Sequence, residues 1–155
     1  MKVRGFTLIE LMITLLIGSI LLAWGIPNYR DFKMRREVVD NANEFVYSLN
    51  LARAEAVRYG TQVDVDPTGG AWNQGWTITA IGVGGNSDTI IQQHGPVRNM
   101  TIDLTTNPGN GVTFNRIGGL QGNAVALFDV EHTSDSSQSR IIRIGMSGTV
   151  KVIQP

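Results

Sequence analysis

The chain opens with a short basic segment followed by a long run of apolar residues. Lys2 and Arg4 precede residues 6–26, and Glu10 is the only charged residue in that run. As a helix the run would span about 30 Å, which matches the hydrocarbon core of a bilayer. A buried core helix is the weaker interpretation, because a small domain rarely surrounds a helix that is apolar on all sides. We therefore predict a membrane-spanning helix over residues 6–27.

A cleaved secretory signal peptide is the other alternative for this run. Such a peptide needs small residues at a cleavage site just after its apolar core. Residues 24–29 read WGIPNY, which fits that requirement poorly. The sequence therefore favours a helix that is kept.

A second pattern follows, with apolar residues repeating every three or four positions. The stretch from Tyr29 to Tyr59 contains neither Gly nor Pro, and Gly60 supplies a stop signal. If Pro27 only kinks the run, one helix extends from Phe6 to Tyr59, about 80 Å at 1.5 Å per residue. We expect the second half of this helix, residues 28–60, to pack against a soluble domain through one row of apolar residues, which we call the seam. The seam consists of Val38, Ala42, Phe45, Leu49, Ala52 and Ala56.

After Gly60 the period changes from helical to alternating, which is typical of strands. Loop compositions rich in Gly, Asn, Asp and Ser separate the alternating runs, at residues 82–88, 107–111 and 133–137. Residues 146–148 read as a hairpin turn. The pattern predicts an α+β class: a long amphipathic helix packed on an antiparallel sheet of about seven or eight strands, over residues 61–155. The predicted strands lie at 62–66, 72–81, 90–93, 100–104, 112–116, 124–130, 140–144 and 149–153.

The charge balance and the missing cysteine exclude several classes of protein. Lys plus Arg and Asp plus Glu number 13 each, which argues against a strongly basic nucleic-acid coat and against an acidic disordered tail. The absence of Cys excludes disulfide scaffolds, thiolate metal sites and cysteine nucleophiles.

Candidate catalytic and metal-binding patterns are weak. His94 and His132 are the only histidines and lack metal-ligand spacing, so we expect solvated histidines in loops or at strand ends. Residues 145–149 depart from a nucleophile elbow because the fifth residue is Thr, and residues 82–85 lack the third Gly of a dinucleotide loop. We predict a protein that is not an enzyme and needs no cofactor.

Two further residue pairs have simpler structural explanations. Asp64 and Asp66 share one strand face and could meet Ca²⁺, but alternating polar positions explain them without a ligand. Trp72 and Trp76 fit a core or a cover over it better than a binding cage.

The amino terminus carries the most specific motif in the chain. Residues 5–12 read GFTLIELM, which resembles the processing and methylation signature of type IV pilins and type II secretion pseudopilins. The resemblance implies a leader over residues 1–5, cleavage between Gly5 and Phe6, N-methylation of Phe6 and an assembly role for Glu10.

Weaker similarity continues along the chain and narrows the resemblance to the GspH/FimT branch of minor pilins and pseudopilins. It covers NE at 43–44, LNLARAEAV at 49–57, Trp72, Gly75 and Trp76, and VTFNRIG at 112–118. One departure concerns the closing hairpin, where many members carry a Gly-Arg-Val-Arg-like motif. Here residues 148–151 read GTVK and keep one of the two bases.

The chemistry of Glu10 can also be argued from the residues alone. A carboxylate in lipid costs about 2.5–3.5 kcal/mol and usually has a partner. Cleavage after Gly5 would create an amine at Phe6, and a neighbouring subunit's amine could pair with Glu10 and set the axial register of stacked helices. Alternatively, Glu10 simply favours the positive end of the helix dipole and faces the headgroups.

The resemblance implies a location and a set of partners. It predicts a single-pass bacterial inner-membrane protein with a periplasmic globular domain that later joins a pilus or pseudopilus. Its expected partners are other pilin subunits, the prepilin peptidase and the inner membrane. Charge alone leaves the orientation open, because basic residues flank the span on both sides. Within this hypothesis we favour the pilus, and a membrane-anchored periplasmic domain without a filament role is a weaker alternative.

A second hypothesis is a DNA-binding minor pilin at the pilus tip. Arg140, Arg143 and Lys151 could form a small basic patch that touches phosphates. Solvated strand charges are the simpler explanation, because removal of the leader leaves eleven basic against thirteen acidic residues.

Overall fold

The computed structural model describes residues 5–85, 87–106, 110–122 and 125–153. Residues 1–4 of the predicted leader and Ala124 of a predicted strand lie outside the described residues, as does most of the predicted loop at 107–111. The chain forms two compact units that divide between Met34 and Arg35.

One helix, α1, runs from Leu8 to Tyr59 and continues through Pro27, as predicted. Proline cannot donate the backbone hydrogen bond to the carbonyl four residues earlier. One residue later, the Asn28 side chain adds a donor to this turn, with its Nδ2 donating to the Trp24 carbonyl oxygen at 3.0 Å. In the first unit the apolar side chains of α1 are exposed on all sides, and among the described residues this helix is long and apolar enough to cross a membrane.

In the second unit α1 buries the predicted seam. All six seam residues are buried, and Ser48 lies buried among them. The other polar residues of this half are exposed or half-buried, so this half of α1 is amphipathic as the three- and four-residue spacing predicts. Gly60, with φ of 65°, ends the helix in the left-handed region that a residue without Cβ adopts readily.

The strands of the second unit form two antiparallel four-stranded sheets rather than the single sheet expected. The first sheet has the order β3-β2-β1-β5 and the second has the order β4-β6-β7-β8. Alternation predicts where strands lie but not which strands pair, and here β4 pairs with β6 instead of its chain neighbour β3. The strands are β1 Val63–Pro67, β2 Trp76–Ala80, β3 Thr89–His94, β4 Met100–Leu104, β5 Val112–Phe114, β6 Ala126–His132, β7 Asp135–Ile144 and β8 Val150–Ile153.

Two local predictions were wrong. Trp72–Gln74 forms a 3₁₀ turn instead of the start of β2, and Gly75 follows with φ of 101°, where a Cβ would run into the His94 carbonyl. Residues 135–137 belong to β7 instead of a loop, because β6 and β7 are joined by a tight connection that pairs His132 with Asp135. A short polar run can thus be a strand end as readily as a loop.

The core of the second unit lies between the seam of α1 and the inner residues of both sheets. Its centre is a cluster of edge-to-face rings, in which Phe45 contacts Trp72, Trp76 and Phe128 at centroid distances of 5.4, 4.8 and 4.8 Å. Both tryptophans are buried, which confirms them as core residues. Edge-to-face pairs contribute about 0.5–1.5 kcal/mol beyond the area they bury.

Candidate assembly site

The start of α1 is organised by a reciprocal pair of side chains. The Thr7 backbone N–H and the Thr7 hydroxyl donate to Glu10 Oε2 at 3.1 and 3.0 Å. The Glu10 backbone N–H in turn is 3.3 Å from Thr7 Oγ1. This is a capping box, which satisfies amide groups that the first turn of a helix leaves without partners. The spacing Thr-x-x-Glu is visible in the sequence, so Thr7 could have been found by that signal.

Among the described residues, the part of the chain that carries Glu10 contains no basic side chain. No Lys, Arg or His occurs between Gly5 and Tyr29. Its carboxylate is bonded locally by Thr7, which leaves room for a further, stronger partner, because a carboxylate can accept several hydrogen bonds. Apart from the neighbouring residues of the chain, no described atom lies within 4 Å of the place of a Cβ on Gly5, and Phe6 is 81% exposed.

The rest of the predicted span carries apolar side chains and a few hydroxyls that bond to the backbone of the same helix. Its large apolar side chains from Phe6 to Ile26 are between 49% and 81% exposed. The hydroxyls of Thr14 and Ser19 donate to the carbonyl oxygens of Leu11 and Leu16 at 2.9 and 2.7 Å. Because these hydroxyls bond to their own helix, they add little penalty in an apolar medium. The segment therefore needs a nonaqueous surrounding, which the described residues of its own chain do not supply.

The β7–β8 hairpin brings together two of the three predicted basic residues. Arg143 and Lys151 lie directly opposite each other on β7 and β8, both exposed. With Gly145, Ser147 and Thr149 of the turn they line a shallow pocket of about 240 Å³. The predicted turn is confirmed, since the Gly148 N–H donates to the Gly145 carbonyl at 2.8 Å.

Arg140 lies apart from this pair. Arg140 lies on the same face of β7 as the buried Ile142 and Ile144, and Arg143 lies on the other face. The Arg140 Nη1 donates to the Ser139 carbonyl at 2.7 Å. The odd spacing between Arg140 and Arg143 already indicates opposite faces on a regular strand, whereas the pairing of Arg143 with Lys151 depends on the register of the hairpin.

The two histidines tie strand ends to α1. His94 stacks on Trp76 with a centroid distance of 4.0 Å, and its Nε2 is 2.9 Å from Glu44 Oε1. His132 is only 5% exposed, so the expectation of a solvated histidine was wrong for it. Its Nε2 is 3.2 Å from Glu37 Oε2, and its Nδ1 accepts the Ser134 N–H.

These histidine contacts are structural. Sequence reasoning missed Glu37 and Glu44, because each partner is remote in the chain. Among the described residues, no group of three or more His, Asp or Glu side chains is arranged to hold a metal ion.

The environment of Asp64 and Asp66 is also explained by nearby residues. Asp64 Oδ1 accepts a hydrogen bond from the Thr113 hydroxyl at 2.7 Å. Burial raises the pKa of the Asp66 carboxyl, and the negative charge of Asp64 raises it further.

Comparison with known families accounts for both units. A model described as "Type II transport protein GspH" matches residues 41–148, and a "Prokaryotic N-terminal methylation motif" matches residues 1–26. The chain belongs to the GspH family. Both parts of the predicted resemblance are confirmed, since the methylation motif spans the capping box and the family model spans most of the second unit.

Individual relatives of this GspH-family chain include pilus proteins. It is 29% identical over 124 residues to the "Type IV narrow pilus major component PilA5" of Thermus thermophilus, covering 69% of this chain and all of that protein. It is 42% identical over 60 residues to a "Fimbrial protein" of Pseudomonas aeruginosa, covering 39% of this chain and 38% of that protein.

Solved structures show the same fold. The type IV minor pilin FimU of Pseudomonas aeruginosa superimposes with a TM-score of 0.67 at 21% identity, over 79% of this chain and 92% of that one. The minor pseudopilin EpsH of the Vibrio cholerae type 2 secretion system gives 0.60 at 13% identity, over 77% and 98%. The predicted pilin-like α+β fold is therefore confirmed.

Membership of this family gives the general function of the chain. The GspH-family chain is a subunit of the type IV pilin and type II secretion pseudopilin class, and this class is structural rather than enzymatic. Membership implies assembly with other pilins, processing by the prepilin peptidase, and a membrane location followed by a pilus location.

Proposed function

We propose that this chain is a minor pilin that joins or primes a type IV pilus. It waits in the inner membrane through residues 6–27, with residues 61–155 in the periplasm, and is cleaved between Gly5 and Phe6 and N-methylated at Phe6. Its helix then leaves the lipid and packs among the helices of other subunits. The observation that carries this proposal is the first half of α1, apolar and exposed on every side with one acid at its start.

Because the first half of α1 is apolar and exposed, the subunit needs lipid around it before assembly and other helices around it afterwards. Burial of apolar surface contributes about 25 cal/mol per Å², so this segment is stable in lipid or among similar helices and unfavourable in water. Transfer between the two leaves every backbone hydrogen bond inside the helix. The hydrophobic driving force for leaving lipid is small, so a specific polar contact has to select the assembled state.

Glu10 supplies that contact in our proposal. In the uncut chain its carboxylate bonds to Thr7. Cleavage frees the Phe6 amine, and the amine of a neighbouring subunit provides the missing cation. A charge-assisted bond of this kind contributes about 1.5–3 kcal/mol, more than the local hydroxyl contact. The axial position of one helix on the next is thereby fixed.

Glu10→Gln tests this role without removing the cap, because Gln also completes a capping box. We expect filament incorporation to fall about tenfold or more, as the loss of a charged contact predicts. Thr7→Ala is the matched control, since it weakens the cap by about 0.5–2 kcal/mol and keeps the carboxylate. Normal incorporation of Glu10→Gln together with a defect in Thr7→Ala would assign Glu10 to capping alone.

Mass spectrometry of the protein from native membranes tests processing. We expect a mature chain that starts at Phe6 and carries one added methyl group. A chain that retains residues 1–5 would contradict the proposal and would favour a membrane-anchored domain without a filament role.

The pilus is favoured over a secretion pseudopilus by the sequence relatives. PilA5 is a pilus component matched over its whole length, and the fimbrial protein matches over 60 residues. A tagged chain is expected in pili sheared from the cell surface, and its deletion is expected to reduce surface pili. Normal pili together with lost secretion of exported proteins would assign it to type II secretion instead.

DNA binding at the pilus tip is a second candidate, supported by the Arg143 and Lys151 pair. Neither cation has an ion-pair partner among the described residues, and the hydroxyls of Ser147 and Thr149 lie beside them. Two phosphate contacts predict a salt slope of about −1.8 for duplex binding.

A gel shift of the detergent-solubilised full chain at several salt concentrations tests this candidate. We expect Arg143→Ala with Lys151→Ala to abolish the slope, and Arg98→Ala with Arg116→Ala, which removes two exposed cations elsewhere, to preserve it. A flat response of the unmodified chain at low salt removes DNA binding.

A further inference from the structure

The outer face of the second sheet is divided into an acidic half and a basic half. Asp103 on β4 and Asp129 and Glu131 on β6 alternate with buried residues and therefore point away from the core. Arg143 on β7 and Lys151 on β8 occupy the corresponding outer positions of the other two strands. We call these five residues the polarised face. The boundary between its halves falls between β6 and β7.

Each half places like charges directly opposite one another. Asp103 pairs in register with Asp129, and Arg143 pairs with Lys151. Directly opposed like charges destabilise an antiparallel pair. In the described part of the chain, none of the five residues has an ion pair or a side-chain hydrogen bond. The isolated subunit therefore contains two unfavourable pairs that an external surface of the opposite sign would relieve.

A second copy of the same face has the required charge pattern. A two-fold axis parallel to the strands, between β6 and β7, would place β8 of one copy over β4 of the other and β7 over β6. The basic half of each copy then faces the acidic half of its partner. Arg143 and Lys151 are offset by two residues, about 7 Å along the strands, from the facing Asp129 and Asp103, and their long side chains span this offset. A DNA duplex on this face would gain two cations but meet three carboxylates.

We propose that the polarised face is a contact between two copies of this chain. The proposal concerns the second unit and does not depend on the assembly role of the apolar helix. Four strands are about 15–20 Å wide, which is smaller than the footprint of a stable dimer. The contact is therefore weak and salt-sensitive, and acts where copies are concentrated, because exposed charges are screened over about 10 Å at 0.1 M salt.

A charge-reversal experiment tests the contact. The acidic variant carries Arg143→Glu and Lys151→Glu, and the basic variant carries Asp103→Lys, Asp129→Lys and Glu131→Lys. Each also carries Ile141→Cys, placed beside the proposed axis and unique because the chain has no cysteine. A bis-maleimide that spans the roughly 10 Å between facing sheets traps the dimer of the detergent-solubilised full chain.

The expected pattern is loss and rescue. Ile141→Cys alone should cross-link at low salt and lose most of its product at 1 M salt. Either charge variant alone should cross-link at least several-fold less, while a mixture of the two, carrying different tags, should form the mixed dimer at or above the starting level. Arg98→Glu with Arg116→Glu, which makes the same change in net charge elsewhere, should leave the product unchanged.

Three results would overturn the proposal. The first is cross-linking of the acidic variant at the starting level. The second is a mixture that yields no mixed dimer although both variants unfold at the same temperature as the parent chain. The third is cross-linking of the parent that duplex DNA abolishes at stoichiometric concentration, which would assign the basic half to nucleic acid.

Discussion

The two halves of α1 have the same backbone structure and opposite relations to solvent. From Leu8 to Ile26 the large apolar side chains surround the helix and are exposed, whereas in the second half the six residues of the seam are buried. The buried half finds its apolar partner in the sheets of its own chain. The exposed half has to find one outside, in lipid or in other subunits. The distribution of apolar residues around a helix therefore indicates whether its partner is intramolecular or intermolecular.

Truncation of a side chain at the centre of the seam should cause the largest loss of folding stability. Phe45→Ala removes a buried ring that contacts three other aromatic rings, so we expect the free energy of unfolding to fall by about 3–5 kcal/mol. Denaturation of the full chain in detergent, followed by tryptophan fluorescence, measures the change. Tyr47→Ala, on the same helix but 63% exposed, should change it by less than about 0.5 kcal/mol. Equal effects would contradict the assignment of the seam.

A charge in the first half should affect insertion instead of folding. Leu16→Lys is expected to make insertion of the helix centre less favourable by about 2.5–3.5 kcal/mol, because a cation in hydrocarbon loses its hydration. A membrane-insertion assay reports this change. Leu16→Ala serves as the control, and neither variant should alter unfolding of the second unit. A lower unfolding free energy in both variants would show that Leu16 packs within its own chain.

Ser48 sharpens the description of the seam. Its hydroxyl is buried, and no hydrogen-bond partner for it occurs among the described residues. An unpaired buried hydroxyl destabilises the folded state, and Ala is the better helix former. Ser48→Ala should therefore raise the unfolding free energy by about 1 kcal/mol in the same denaturation measurement. A loss of stability would indicate that the hydroxyl has a buried water or another partner.

Asp66 should give the smallest effect, which depends on pH. Burial raises its pKa in the folded state, so the folded chain binds the proton more tightly than the unfolded chain does. Its contribution to stability therefore becomes less favourable as pH rises from the ordinary value of 3.8 through the raised one. Asp66→Asn is expected to be slightly more stable than the parent at pH 7, and the difference should vanish below pH 3.8. If Asp66→Asn remained more stable than the parent below pH 3.8, the charge of Asp66 would not be the cause of the difference.

The local elements could be predicted because their signals are short-range. The seam from Val38 to Ala56, the Gly60 stop and most strand positions follow from periods of 3.6 and 2 that a few residues display. The capping box of Thr7 and Glu10 has the same local character. A motif of eight residues predicted Gly5 and Phe6 as processing residues and Glu10 as an assembly residue, and it lies within the match to the methylation motif over residues 1–26.

The remaining features required tertiary structure. The division into two sheets depends on the pairing of β4 with β6, which joins segments that are distant in the chain. Burial of His132 and its contact with Glu37 bring together residues separated by 95 positions. The placement of Arg143 beside Lys151 likewise follows from hairpin register. These contacts are set by which surfaces pack together to exclude water, a choice that periodicity within a single segment does not encode.

By itself, the sequence determined that one helix would need two kinds of surroundings, because residue spacing along a helix sets which faces are apolar. Only the tertiary structure decided which strands share a sheet and which charges meet on its outer face. Those arrangements depend on long-range pairing, where a shift of one residue moves every side chain to the opposite face.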